Sequence, residues 1–127
     1  MGFINRYLKL LVVAISLITL VSGLAQVIMP ALVLDVIGAE VTPLSSHLFA
    51  IVGMFMALFG GLMLHTVYSA RTSDEAVLWC AFQKIGAFVA VSVGVFKGLF
   101  AFIAIGVAFF DLFSGLLFLY YLKNKGE

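Results

Sequence analysis

Lys84 and Asp111 each stand inside a long apolar run, where an ionisable side chain is least expected. Such residues are rare in apolar segments and mark ion pathways, proton relays or structural pairs. An ammonium and a carboxylate held together could do one of two things. They could exchange a proton in a carrier of a small lipophilic or cationic solute, or they could clamp two helices in register. The only break between the two runs is Lys97-Gly98, and the two charges are equidistant in sequence from its midpoint. At ~1.5 Å rise per residue both would sit roughly 20 Å from that turn if the runs are antiparallel helices. An unpaired charge at that depth costs about 2.5–3.5 kcal/mol or more, so pairing is expected.

Other polar side chains are few. Gln83 adjoins Lys84 and could extend a proton or ligand site. His65 could ligate a metal or a chlorophyll-type magnesium, or shuttle protons; hydrogen bonding within a bundle is the plainer role. His47, Asp35 and Glu40 could converge as an N/O metal site, but one histidine on a connecting segment is thin support, and no metal is expected. Cys80 is the single cysteine, so it has no disulfide partner within the chain, and packing is its expected role. The chain has no Gly-x-Ser-x-Gly, His-Glu-x-x-His, P-loop or dinucleotide fingerprint, and so no catalytic residue is assigned.

The elements that must position the pair follow from hydropathy. The 127 residues are 65% hydrophobic and 10% charged, against about 25% charged in a soluble domain. So short a chain cannot hide that much Leu, Val, Ile and Phe from water, which makes the lipid bilayer its solvent. A formal net charge of +1 offers no footprint for nucleic acid. Spans are expected at about 8–29, 46–68, 75–96 and 99–122, each near the ~20 residues needed to cross. The first is read as a span rather than a secretory signal. Pro30 ends it, since the residue before proline is pushed out of the α region. Residues 31–43 are too short to span, and read as an interfacial helix or corner closed by Gly38. Ser45 or Ser46 is expected to cap the second span, and Ser73, followed by Asp74 and Glu75, the third. The fold expected is a single all-α, four-helix transmembrane bundle, up-down-up-down.

By the positive-inside rule both termini are expected to be cytoplasmic, in a cell (inner) membrane. That puts Arg6, Lys9, Arg71, Lys123 and Lys125 inside with only Lys97 outside. Tyr7, Tyr68, Trp79, Tyr120 and Tyr121 fall toward the same side, as an aromatic belt would. Small residues suggest the helix contacts. Gly53, Ala57 and Gly60 form a ridge on span two expected to meet Gly86, Ala90 and Gly94 of span three. Cys80, Lys84, Ala87 and Val91 are expected to face Ala101, Ala104, Ala108, Asp111 and Gly115 of span four.

Pro30, the corner Leu32-Val-Leu-Asp-Val-Ile-Gly38, the glycine-bearing second span and the charged loop at Arg71 together resemble the small DoxX-like four-helix membrane proteins. The resemblance covers nearly the whole chain. It implies a mixed functional group, some of whose members are accessory subunits of redox complexes, and transfers no site residue. With no catalytic motif and short loops, the expected function is a non-catalytic accessory or scaffolding subunit, its partners being other membrane subunits or copies of itself. The alternatives are a proton-coupled carrier using Asp111 and Lys84, and a membrane enzyme acting on a lipid or quinone, which would need His65 and Asp111 in one cavity. No cofactor is predicted; a bound lipid, quinone or pigment is left open.

Overall fold

The computed structural model describes residues 2–124, with side chains from Asn5 onward. Lys125, assigned above to the inner face, lies outside the described residues. These form five helices and no strand: α1 (Gly2–Ile28), α2 (Pro30–Val36), α3 (Pro43–Tyr68), α4 (Asp74–Phe96) and α5 (Ala104–Asn124). Four of them, α1, α3, α4 and α5, are long and apolar enough to cross a membrane. The chain is a multi-pass membrane protein built as a four-helix bundle, with α2 as the corner between the first two spans.

Local chemistry sets the element ends. Pro30 takes the first position of α2, where its missing N–H costs no hydrogen bond. Thr42, not Ser45 or Ser46, caps α3: its side chain accepts from the Ser45 N–H while the Ser45 hydroxyl accepts from the Thr42 N–H, both at 2.9 Å. Pro43 occupies the first turn. The helix starts three residues earlier than expected because Thr-Pro is the stronger start signal. Ser73 caps α4, accepting from the Ala76 N–H at 3.2 Å.

The two corners facing away from the termini share one design. Among the described residues, Gly38 (φ 73°) and Gly98 (φ 77°) are those with positive φ. Each lets the next N–H turn back onto its helix: Ala39 donates to the Leu34 carbonyl and Leu99 to the Gly94 carbonyl, both at 2.9 Å. The corners then clasp, the Ala101 N–H donating to the Ile37 carbonyl at 2.7 Å. Held there, residues 99–103 are not helical, and α5 begins at Ala104 rather than Leu99. Ala101 therefore belongs to the clasp and not to a helix face.

Two pairs of helices are closely packed, α1 with α3 and α4 with α5; the pairs meet each other more sparsely. In the first pair a Cβ on Gly23 would come within 2.6 Å of backbone atoms of Gly53 and Ala57, and one on Gly60 within 2.9 Å of backbone atoms of Ser16 and Leu20. The Gly53/Ala57/Gly60 ridge thus meets α1, not α4, because α1 supplies the complementary small residue, Gly23. Gly86 and Ala90 are exposed, and a Cβ on Gly86 would touch nothing within 4 Å. Gly94 instead seats the Phe100 ring. In the second pair Gly115 lies against Ile85 and the Ala81 carbonyl, and Phe88 meets Phe109 with ring centroids 5.9 Å apart. The α4 stripe on α5 is therefore Ala81, Ile85 and Phe88, one residue round from the stripe expected.

The interior is filled unevenly. Near the termini, Leu8, Val12 and Ile15 of α1 pack with Met63 and Val67 of α3, and these in turn with Val77, Ala81, Phe118 and Tyr121 of the second pair. Toward the corners the bundle is hollow.

Candidate functional site

Lys84 sits on the boundary between the filled and the hollow half. Its Nζ lies 3.4 Å from Asp111 Oδ1, linking α4 to α5. It also donates to Thr19 Oγ1 at 2.5 Å, reaching across the bundle to α1. The Thr19 hydroxyl in turn donates to the Ile15 carbonyl at 2.9 Å, so that the ammonium, the hydroxyl and a helix carbonyl form one chain of hydrogen bonds. The Phe110 ring centroid is 5.6 Å from Nζ, within cation–π range. Lys84 therefore ties three helices from both close pairs. Among the described residues no buried side-chain nitrogen or oxygen lacks a partner. For so apolar a chain that satisfaction is the condition of stability.

The two charges differ in access. The Lys84 side chain is 4% exposed and that of Asp111 is 13%. Only one carboxylate oxygen, Oδ1, is engaged by the ammonium.

Above the pair, toward the corners, lies a cavity of about 400 Å³. Its walls are mostly apolar: Val33 and Ile37 of α2, Phe49 and Met56 of α3, Val91 of α4 and Phe100 of the clasp. Asp111, Lys84 and Gln83 line its floor, with Ser22 and Gln26 on the α1 side. Gln26 is fixed, its Nε2 donating to the Phe49 carbonyl at 3.0 Å. Gln83 and Ser22 make no hydrogen bond among the described residues. By contrast Ser16, Thr19 and Ser114 each return their hydroxyl to the carbonyl four residues back. Val52 and Val107 line the cavity and remain half exposed, so it is continuous with the side of the bundle at membrane depth. A mostly apolar cavity with a few convergent polar groups is the usual form of a small-molecule site.

Toward the termini the space closes. Beneath Lys84 is a void of only about 10 Å³, bounded by Met63, Cys80 and Phe118. That is room for about one water.

The structure brings Lys84, Asp111 and Gln83 together but leaves His65 elsewhere. His65 is exposed on α3 and does not line the cavity, so the arrangement required of an enzyme using His65 with Asp111 is not present. Asp35, Glu40 and His47 are all exposed, and among the described residues no group of three or more His, Cys, Asp or Glu side chains is placed to hold a metal ion. Cys80 is buried, its Sγ 3.7 Å from the Phe59 carbonyl. Sequence reasoning missed Thr19, Ser22 and Gln26. The signal for Thr19 and Gln26 was available, because Ser16, Thr19, Gly23 and Gln26 recur at intervals of three and four, one face of a helix; Ser22 is exposed beside that face.

No protein-family model, curated protein or solved structure matches the chain. Function therefore has to be read from the site.

Proposed function

We propose that this protein is a membrane-embedded binder of a small lipophilic solute, held in the cavity above Lys84 and Asp111. The observation that carries this is the coincidence of a mostly apolar cavity of about 400 Å³ with the Lys84–Asp111 ion pair in the span interior. A latch between helices needs no cavity, and a close-packed interior would shield the pair better. The half-exposed Val52 and Val107 at the cavity's edge suit entry from the hydrocarbon phase. This reading keeps the binding half of the carrier expectation. It gives up proton coupling, since the close-packed half beyond Lys84 supports no polar route onward. The solute side, by the positive-inside count, is the outer half of a cell membrane with both termini cytoplasmic. Single cysteines at Arg71 and Lys97 in a Cys80→Ala background, probed with an impermeant maleimide on intact cells, test that orientation: only the Lys97 position should label.

The test of binding is purification in mild detergent, followed by native mass measurement with a lipophilic fluorescent naphthylamine as probe. Binding at one site per chain, abolished by Val91→Trp, is expected. Failure to bind the probe or any co-purifying lipophile would end the reading.

One observation favours a second reading, the accessory or scaffolding subunit. Gly86 and Ala90 lie exposed on α4, one turn apart, in a pattern that elsewhere in this chain carries helix contact. The DoxX-like resemblance points the same way. Native mass measurement would find a heteromeric partner that Gly86→Leu releases; recovery only as a monomer would count against it.

A further inference from the structure

Resting on the binding reading, we infer that the cavity's ligand is an uncharged amphiphile with a hydroxyl head, seated with that head between Asp111 and Gln83 and its tail toward the clasp. Three features of the floor select this class. First, Lys84 and Asp111 cancel each other's charge, at 3.4 Å. A charged ligand would leave one uncompensated charge in an apolar enclosure, a costly outcome.

Second, the lysine is mostly engaged. Two of its contacts go to Thr19 and Asp111, a ring covers it, and its side chain is the less exposed of the pair. An anionic head therefore finds an ammonium with one N–H left and its charge already neutralised by Asp111. What remains open is the second carboxylate oxygen of Asp111, an acceptor, and the Gln83 amide, a donor and an acceptor. A hydroxyl satisfies both at once, donating to the carboxylate and accepting from the amide. The Ser22 hydroxyl, also without a partner among the described residues, stands on the α1 wall as a further contact.

Third, apart from Ser22 and Gln26, whose amide nitrogen is taken by the Phe49 carbonyl, the remaining wall is apolar as far as Ile37, the acceptor of the clasp, and Phe100 beside its donor. A tail fits there, and a second polar end would meet few partners.

The experiment compares four probes that share a hexylphenyl body on the detergent-purified full chain: 4-hexylphenol, hexylbenzene, 4-hexylbenzylammonium and 4-hexylbenzoate, each competing with the naphthylamine dye. Hexylphenol should bind at least about tenfold more tightly than the other three, the size of one hydrogen bond to a charged group. Gln83→Leu should reduce that preference several-fold and leave hexylbenzene unchanged, without disturbing the ion pair. If 4-hexylbenzylammonium or 4-hexylbenzoate binds as well as the phenol, the hydroxyl class is overturned while the binding reading stands. If hexylbenzene equals the phenol, the floor plays no part and the inference fails. If neither the dye nor any probe binds, or Val91→Trp leaves binding intact, the cavity is not a binding site and both readings fall.

Discussion

Lys84 and Asp111 meet at 3.4 Å from unequal positions in their helices. Lys84 lies twelve residues before Phe96, where α4 ends, and Asp111 seven residues after Ala104, where α5 begins. In helical rise that is about 18 Å against about 10 Å. The non-helical residues 99–103, with the reach of the lysine side chain, make up the difference. Equal depth on either side of Lys97-Gly98 would require a tight turn, which the molecule does not have.

Breaking this pair should cost more than erasing it. Lys84→Met or Asp111→Leu alone leaves a buried charge and should lower stability by about 3–5 kcal/mol, whereas the double substitution should recover most of that loss. Thermal unfolding in detergent and membrane abundance check this. Normal accumulation of both single variants would remove the pair's structural role. Thr19→Val, which takes away only the hydroxyl, should cost about 1 kcal/mol.

The uneven interior makes one helix respond in opposite ways to the same change. Ala81→Phe, in the filled half, should destabilise by about 1–3 kcal/mol or prevent folding, as overpacking does. Ala87→Phe, six residues on and lining the cavity, should be tolerated and should abolish dye binding. Equal damage at the two positions would mean that the cavity is not there in the membrane.

Glycines should sort by neighbour rather than by helix. Gly23→Ala drives a methyl into the backbone of α3 and should loosen the first pair by about 1–3 kcal/mol. Gly86→Ala meets nothing and should be neutral, or stabilising by up to about 1 kcal/mol through helix propensity. Unfolding of the two variants side by side decides it.

At the corners both glycines hold a left-handed backbone, yet only one is crowded. Gly98→Ala bears the backbone penalty alone, about 1–2 kcal/mol. Gly38→Ala adds a collision with the Ala101 methyl and should cost clearly more. Ala101→Pro removes the N–H of the clasp and should raise hydrogen exchange in α2 while speeding dye entry.

Much of this architecture was legible because lipid imposes length. The four spans, the Pro30 break, the Gly38 corner and the Ser73 cap follow from hydropathy and cap chemistry. Which helices pair closely was not legible. In a bilayer both sides of a helix can be apolar, so periodicity does not separate the Gly53 ridge from the Gly86–Ala90 stripe, and only the complementary Gly23 distinguishes them. Residues 99–103 contain no glycine or proline to announce that they are not helical; a hydrogen bond to Ile37, more than sixty residues away, decides it. A cavity is a property of what four helices fail to fill, and no single stretch records it.

The contact between Lys84 and Thr19 has a bearing on how the protein is made. Synthesis proceeds from the N-terminus, so α1 and α3 are available as a finished hairpin while α4 is still emerging. The ammonium must then enter the bilayer 27 residues ahead of the carboxylate it will end beside. During that interval the threonine hydroxyl is already in place to receive it, a temporary host that the completed molecule retains.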